Sequence, residues 1–171
     1  MRISFLPTFM TDCLTDITPE FLRDNGVKLL MMDFDNTIVP YVTDEPTEKV
    51  VDWLRRMQQS EIKLCVVSNS HKDRVKIFCK KYGLDCITYA KKPFSKGICE
   101  CLTKYQLAPE CCALVGDQIY TDTLGANGAG VKSILVKAIN NHNFWLKARH
   151  VLELPFIGLA HGRKMHKGDK S

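Results

Sequence analysis

A chain of 171 residues with a net charge of +5 has the length of one ordinary domain and can bury a core without disulfide or metal staples. Its 45% hydrophobic and 25% charged content is that of a soluble globular protein and excludes a fibrous or disordered chain. Apolar runs of only a few residues exclude a helix that spans a bilayer.

The first residues, MRISFLPTFMTD, hold one Arg and a short, broken apolar stretch, too little for a secretory signal. In TPEFLRDNG, Thr18 is a helix cap, Pro19 suits the first helical position and Gly26 the end. VKLLMMDFD (27–35) is the first strong strand pattern. TEKVVDWLRRMQQ follows as a helix from Thr47, with Val50, Val51, Leu54 and Met57 at helical spacing. IKLCVVS (62–68) is the second strand. In SHKDRVKIFCKKYG, Ser70 is the expected cap, Asp73 completes a capping box and Gly83 closes the helix.

CITY (86–89) is the third strand, followed by SKGICECLTKYQL, a helix capped by Ser95 with Ile98, Cys101 and Leu102 on one face. CALVGD (112–117) is the fourth strand, TDTLGANGAG a short glycine-rich helix and turn, and VKSILV (131–136) the fifth strand. Short, continuous, β-branched runs are what strands buried on both faces of a parallel sheet require. The alternation predicts a doubly wound α/β domain with a Rossmann-like parallel sheet.

Residues 137–158 include NFWLKARHVLEL, with Phe144, Trp145, Ala148, Val151 and Leu152 spaced for an amphipathic helix. Packing on the domain is the plain expectation, and contact with a membrane surface the sharper one. The domain thus runs over 1–158. The basic segment 159–171, HGRKMHKGDKS, reads as a solvated, disordered tail, with an anionic membrane as the alternative partner.

Eight cysteines show neither a CxxC pair nor a zinc-ligand spacing. With no secretory signal, free thiols in a reducing, cytoplasmic compartment are expected. Peripheral membrane contact stays open.

In parallel sheets, ligands bind outside the carboxyl ends of the strands. Here those ends carry Asp33-Phe34-Asp35-Asn36-Thr37, Ser68-Asn69-Ser70, Lys91-Lys92-Pro93 and Gly116-Asp117, with Asp122 just beyond. Clustered carboxylates repel unless a cation neutralises them. An all-oxygen donor set calls for a hard cation, and Mg²⁺ uses a few carboxylates plus substrate phosphate. A metal, a Lys and hydroxyl groups are also what a phosphoryl group needs.

DFDNT, a strand-ending SN, KP and GDQIYTD resemble, in order, the four motifs of the haloacid dehalogenase superfamily of Asp-nucleophile phosphatases. The resemblance implies that Asp33 is the nucleophile that forms an aspartyl-phosphate. It makes Asp35 the general acid and base, which fits a pair of side chains two apart on an extended strand. Ser68 and Asn69 orient phosphate, with Asn36 and Thr37 beside them. Lys92, rather than Lys91, stabilises nucleophile and phosphate. Asp33, Asp117 and the backbone carbonyl of Asp35 hold the metal, and Asp122 stands behind them. His71 is either an exposed helix-turn residue or a leaving-group contact, and Gln118 and Thr121 lie close enough in sequence to touch metal water or substrate.

Superfamily caps insert after the first motif or between the second and third. Only VPYVTDEP and a single helix and strand occupy those places, so no cap is expected. An open site suits a large substrate such as a lipid headgroup, a protein or a nucleic-acid end, or a small one enclosed by oligomerisation. The flanks ITPEFLRDNGVKLLMMDFDNTIV, VVSNS, AKKP and GDQIYTDTLGANGAGVKSILV resemble the capless subfamily IIIA and, within it, the YqeG family, which is similar to mitochondrial phosphatidylglycerophosphate phosphatases. This implies a Mg²⁺-dependent phosphatase whose substrate is a phospholipid headgroup, a soluble metabolite or a phosphoprotein. No nucleic-acid partner is expected. A phosphoacceptor or binding module is the non-enzymatic alternative, and Asp35 argues against it because a phosphoacceptor needs no acid there.

Overall fold

The apolar runs become the strands of one parallel sheet. The computed structural model describes residues 4–43 and 45–139. In chain order the elements are β1 (Phe9–Met10), α1 (Pro19–Asp24), β2 (Leu29–Met32), α2 (Glu48–Gln58), β3 (Lys63–Val67), α3 (Arg74–Tyr82), β4 (Asp85–Ile87), α4 (Lys96–Tyr105), β5 (Cys112–Gly116), α5 (Leu124–Ala129) and β6 (Lys132–Leu135). The strands lie in the order β1-β6-β5-β2-β3-β4, and every neighbouring pair is parallel.

Side chains alternate across β2, so each face gets half of it. Leu30 and Met32 join Trp53, Leu54 and Met57 of α2 and Val75 and Phe78 of α3. Leu29 and Met31 join Ile98 and Cys101 of α4 and Ala126 of α5. Both faces of the strand are therefore dry, which is why its sequence is apolar at every position. The indole N–H of Trp53 donates to the carbonyl of Ile17 at 2.6 Å, so this large buried ring leaves no polar atom unpaired.

The chain winds outward from β2 through β3 to β4, then returns to the other side of β2 as β5 and β6. This reversal opens a crevice beyond the carboxyl ends of β2 and β5.

Several local expectations are met. Thr18 caps α1 by accepting from Phe21 N–H at 3.1 Å, and Thr47 caps α2 by accepting from Val50 N–H at 3.4 Å. Gly83 ends α3 at φ 64°. Others are corrected. The helix expected from Ser70 begins at Arg74, because the Ser70 hydroxyl accepts from Lys72 N–H and its carbonyl from Tyr89 N–H. Ser95 sits at the start of α4 without a side-chain capping bond. The pair Phe9–Met10 adds an edge strand that the sequence pattern did not indicate.

The eight cysteines are free thiols. No insertion large enough for a cap follows the first motif or separates Ser70 from Lys92. Among the described residues, no helix is long and apolar enough to cross a membrane. The amphipathic pattern at 144–152 and the basic tail lie outside the described residues.

Candidate active site

Three strand ends and one loop deliver the polar residues into the crevice. Asp33 follows β2 and is still held in the ladder, its N–H donating to Val115 O at 2.9 Å. Ser68 follows β3 in the same way, donating to Ile87 O at 2.9 Å. Asp117 follows β5, and Lys92 lies in the loop after β4 beside a cis Lys92–Pro93 peptide.

Lys92 reaches into the crevice, where its ammonium meets Asp33 Oδ1 at 2.6 Å and Asp122 Oδ1 at 2.7 Å. The second oxygen of Asp122 accepts from Gln118 N–H at 3.2 Å. Thr37 donates to Asp117 Oδ1 at 3.4 Å. One carboxylate oxygen each from Asp33, Asp117 and Asp122 lie within 4.8 Å of one another, and all three residues are buried.

Such a cluster is electrostatically short of positive charge. Burial raises the Asp33 pKa to about 7, against the pull of Lys92, and Asp122 pushes it the same way. Burial, then Asp33 and Asp122, hold Asp117 well above the usual carboxylate range. Burial disfavours the Lys92 ammonium, but Asp122 and Asp33 outweigh it and keep the charge in place. Three carboxylates against one ammonium leave room for a divalent cation. The donors are all oxygen, so the site fits a hard ion such as Mg²⁺.

Asp35 stands apart from the acid cluster and meets Arg74 of α3, Oδ1 to Nη2, at 3.0 Å. Arg74 also donates to the carbonyls of Tyr41 at 3.2 Å and Thr43 at 3.2 Å, and its guanidinium lies 5.1 Å from the centre of the Phe34 ring. It thereby ties the loop after the first motif to the start of α3. The sequence reading did not single out this residue. Its only signal was a cation in the first turn after SNS.

The two asparagines act mainly on the backbone. Asn69 clamps the lysine loop from both sides: its amide donates to Lys92 O at 2.9 Å, and Lys92 N–H donates to its Oδ1 at 2.7 Å. Asn36 takes a left-handed conformation, φ 60°, which Asn tolerates better than most residues. Its Oδ1 accepts from Tyr41 N–H at 3.0 Å. The Ser68 hydroxyl accepts from Ser70 N–H at 3.0 Å and keeps its own proton to donate. Gln118 accepts from the Thr121 hydroxyl at 3.2 Å. His71 is exposed and lies against Tyr89, ring centres 4.0 Å apart. Lys91 is exposed as well, outside the crevice that Lys92 enters.

Comparison with known proteins bears on the family and the fold. A family model for haloacid dehalogenase-like hydrolases matches residues 38–130. The probable phosphatase YqeG of Bacillus subtilis is 36% identical over 132 residues, covering 77% of each chain. Among solved structures, a cobalt-bound deoxy-D-mannose-octulosonate 8-phosphate phosphatase from Haemophilus influenzae is 12% identical, with a TM-score of 0.55 over 80% of this chain and 92% of its own. A 3-deoxy-D-manno-octulosonate 8-phosphate phosphatase from Yersinia pestis is 18% identical, with a TM-score of 0.53 over 82% of this chain and 85% of its own. These two likenesses concern the fold. The chain belongs to the haloacid dehalogenase-like hydrolases and, within them, to the YqeG family of phosphatases.

Proposed function

We propose that this phosphatase hydrolyses a phosphomonoester in two steps through an aspartyl-phosphate on Asp33, with Mg²⁺ as cofactor. The observation that carries the reading is the buried Asp33 carboxylate, held by Lys92 at 2.6 Å beside two further acids at the mouth of a parallel sheet. In the first step an Asp33 oxygen bonds to phosphorus, and the P–O bond to the leaving group breaks. Asp35 gives its proton to the departing oxygen. In the second step water attacks phosphorus, its proton passes to Asp35, and the Asp33–phosphorus bond breaks to release phosphate.

Lys92 balances charge on Asp33 and on the phosphoryl oxygens. The Ser68 hydroxyl donates to one of those oxygens, and Asn69 keeps the Lys92 loop in register. Asp33 and Asp117, with the backbone carbonyl of Asp35, are the residues that would hold Mg²⁺, and Asp122 supports them through its grip on Lys92. Bound there, the ion supplies positive charge against the phosphoryl oxygens.

The substrate class favoured is a phosphate on a lipid headgroup, with phosphatidylglycerophosphate as the named candidate. Two considerations support it: among the described residues no cap covers the site, and the flanking motifs resemble those of a family similar to phosphatases of that lipid. The test is release of inorganic phosphate from a panel holding phosphatidylglycerophosphate in mixed micelles beside sugar, nucleotide and peptide phosphates, with and without Mg²⁺. Preference for the lipid is expected. Equal or better turnover of the soluble esters removes the lipid assignment, and turnover indifferent to Mg²⁺ and chelator removes the cofactor.

A further inference from the structure

Large apolar side chains left exposed among the described residues are not scattered. Of the six, five sit on loops that leave the carboxyl ends of strands: Tyr41 and Val42 after β2, Tyr89 and Phe94 after β4, and Ile139 after β6. Val42 is 78% exposed and Phe94 is 74% exposed. All five therefore lie on the side of the sheet where the crevice opens.

The contacts join them into one rim. Lys72 Nζ lies 6.0 Å from the centre of the Tyr41 ring, and its neighbour His71 packs against Tyr89 with the two rings tilted by 58°. Phe94 N–H donates to Lys91 O at 2.9 Å, two residues from Tyr89. Ile139 N–H donates to Asn36 O at 2.9 Å, beside the first motif. Lys72 and Lys91 are both exposed on these loops. The described acids nearby are already paired: Asp35 with Arg74, Glu45 with Lys81 at 3.5 Å, and Asp73 with Lys76 at 3.9 Å.

We propose that this rim is the surface by which the enzyme rests on an anionic lipid bilayer. Tyr41, Val42, Tyr89 and Phe94 enter the headgroup layer, and Lys72 and Lys91 meet lipid phosphates. This rests on the reading that the crevice takes a phosphomonoester presented at a lipid surface. The composition is the one an interface favours, aromatic rings whose polar edges stay wet, apolar side chains and cations on one face. A second copy of the chain fits less well. A symmetric contact would gather the cations of both copies, Lys72 and Lys91 twice over, into one covered face and would cover the crevice.

The experiment is co-sedimentation of the full chain with phosphatidylcholine vesicles and with mixed phosphatidylcholine–phosphatidylglycerol vesicles, at low and high salt. The variants are Val42→Ser/Phe94→Ser and Lys72→Glu/Lys91→Glu. Hydrolysis of a soluble aryl phosphate is read in parallel, and light scattering reports self-association. The expected result is binding to the anionic vesicles that weakens with salt and falls about tenfold or more in each double variant. Aryl phosphate turnover stays at the wild-type level in both, because these side chains lie outside the crevice. Absence of vesicle binding, equal binding to neutral vesicles, or binding indifferent to both double variants overturns the proposal. So does a wild-type dimer that the apolar double variant dissolves. Each of these leaves the catalytic reading standing if aryl phosphate is still hydrolysed. Loss of aryl phosphate turnover in the wild type, with vesicle binding intact, strikes the catalytic reading instead.

Discussion

Gly116 ends β5 directly under the carboxyl group of Asp122, and a Cβ at position 116 would overlap that group, standing 2.6 Å from Asp122 Cβ. The absent side chain is what lets Asp122 turn inward to Lys92. Gly116→Ala should displace Asp122, destabilise the fold by about 1–3 kcal/mol and weaken the hold on Lys92. Thermal melting and aryl phosphate turnover check it. A variant that melts and turns over like wild type would show that the close approach does not matter.

Asp33→Asn should reduce turnover at least about a thousandfold, because an amide oxygen does not replace the attacking carboxylate. Folding should survive. In metal-free buffer the melting temperature should hold or rise, since the amide removes one of three mutually repelling acids from a buried site. Full activity in this variant rules out Asp33 as nucleophile.

Proton and metal compete for the same cluster. The folded chain raises the Asp33 pKa from its ordinary value to about 7, so it binds that proton more tightly than the unfolded chain does. The group's contribution to stability is full at acid pH and is lost as pH rises through about 7. Mg²⁺ acts in the opposite sense, because it binds the ionised form. The upward shift in melting temperature on adding Mg²⁺ should be small at acid pH and grow as pH passes about 7. A Mg²⁺ shift of constant size across that range contradicts the assignment of Asp33 as a ligand.

Asp35 and Arg74 predict a dependence on leaving group. A poor alkyl leaving group needs the proton that Asp35 supplies, while an activated aryl group needs it less. Asp35→Asn should therefore slow alkyl phosphates by roughly a hundredfold or more, and aryl phosphates by less. Arg74→Ala should show the same ordering at smaller size, through loss of the 3.0 Å pair with Asp35. Arg74→Lys should not restore it fully, because one ammonium does not span Asp35 and the carbonyls of Tyr41 and Thr43. Steady-state rates on paired alkyl and aryl esters decide it.

The sequence made the central sheet legible because burial on both faces demands unbroken apolar runs, as in Leu29–Met32 and Cys112–Gly116. The acids of the cluster were legible for the complementary reason: an Asp directly after such a run has left the core. β1 was not legible. Two residues carry no period, and its place is set by distant pairing of Thr8 with Ser133 and of Phe9 with Ile134. Arg74 was hidden because its partners are far away in sequence, and a cation in the first turn of a helix ordinarily faces water. Asn36 and Asn69 were expected at the phosphate, but nothing in their positions signalled the backbone turns they fasten.

The outermost strands of the sheet are its shortest, Phe9–Met10 at one side and Asp85–Ile87 at the other. A long bare edge is a template on which another chain can add a strand. Here each edge offers only a few backbone groups, and Asp85 on the β4 side is held by Lys104 at 2.8 Å and by the Tyr105 hydroxyl at 2.6 Å. Among the described residues the sheet thus offers little for growth at either side, which guards the fold against edge-to-edge aggregation even though its strands are among the most apolar segments of the chain.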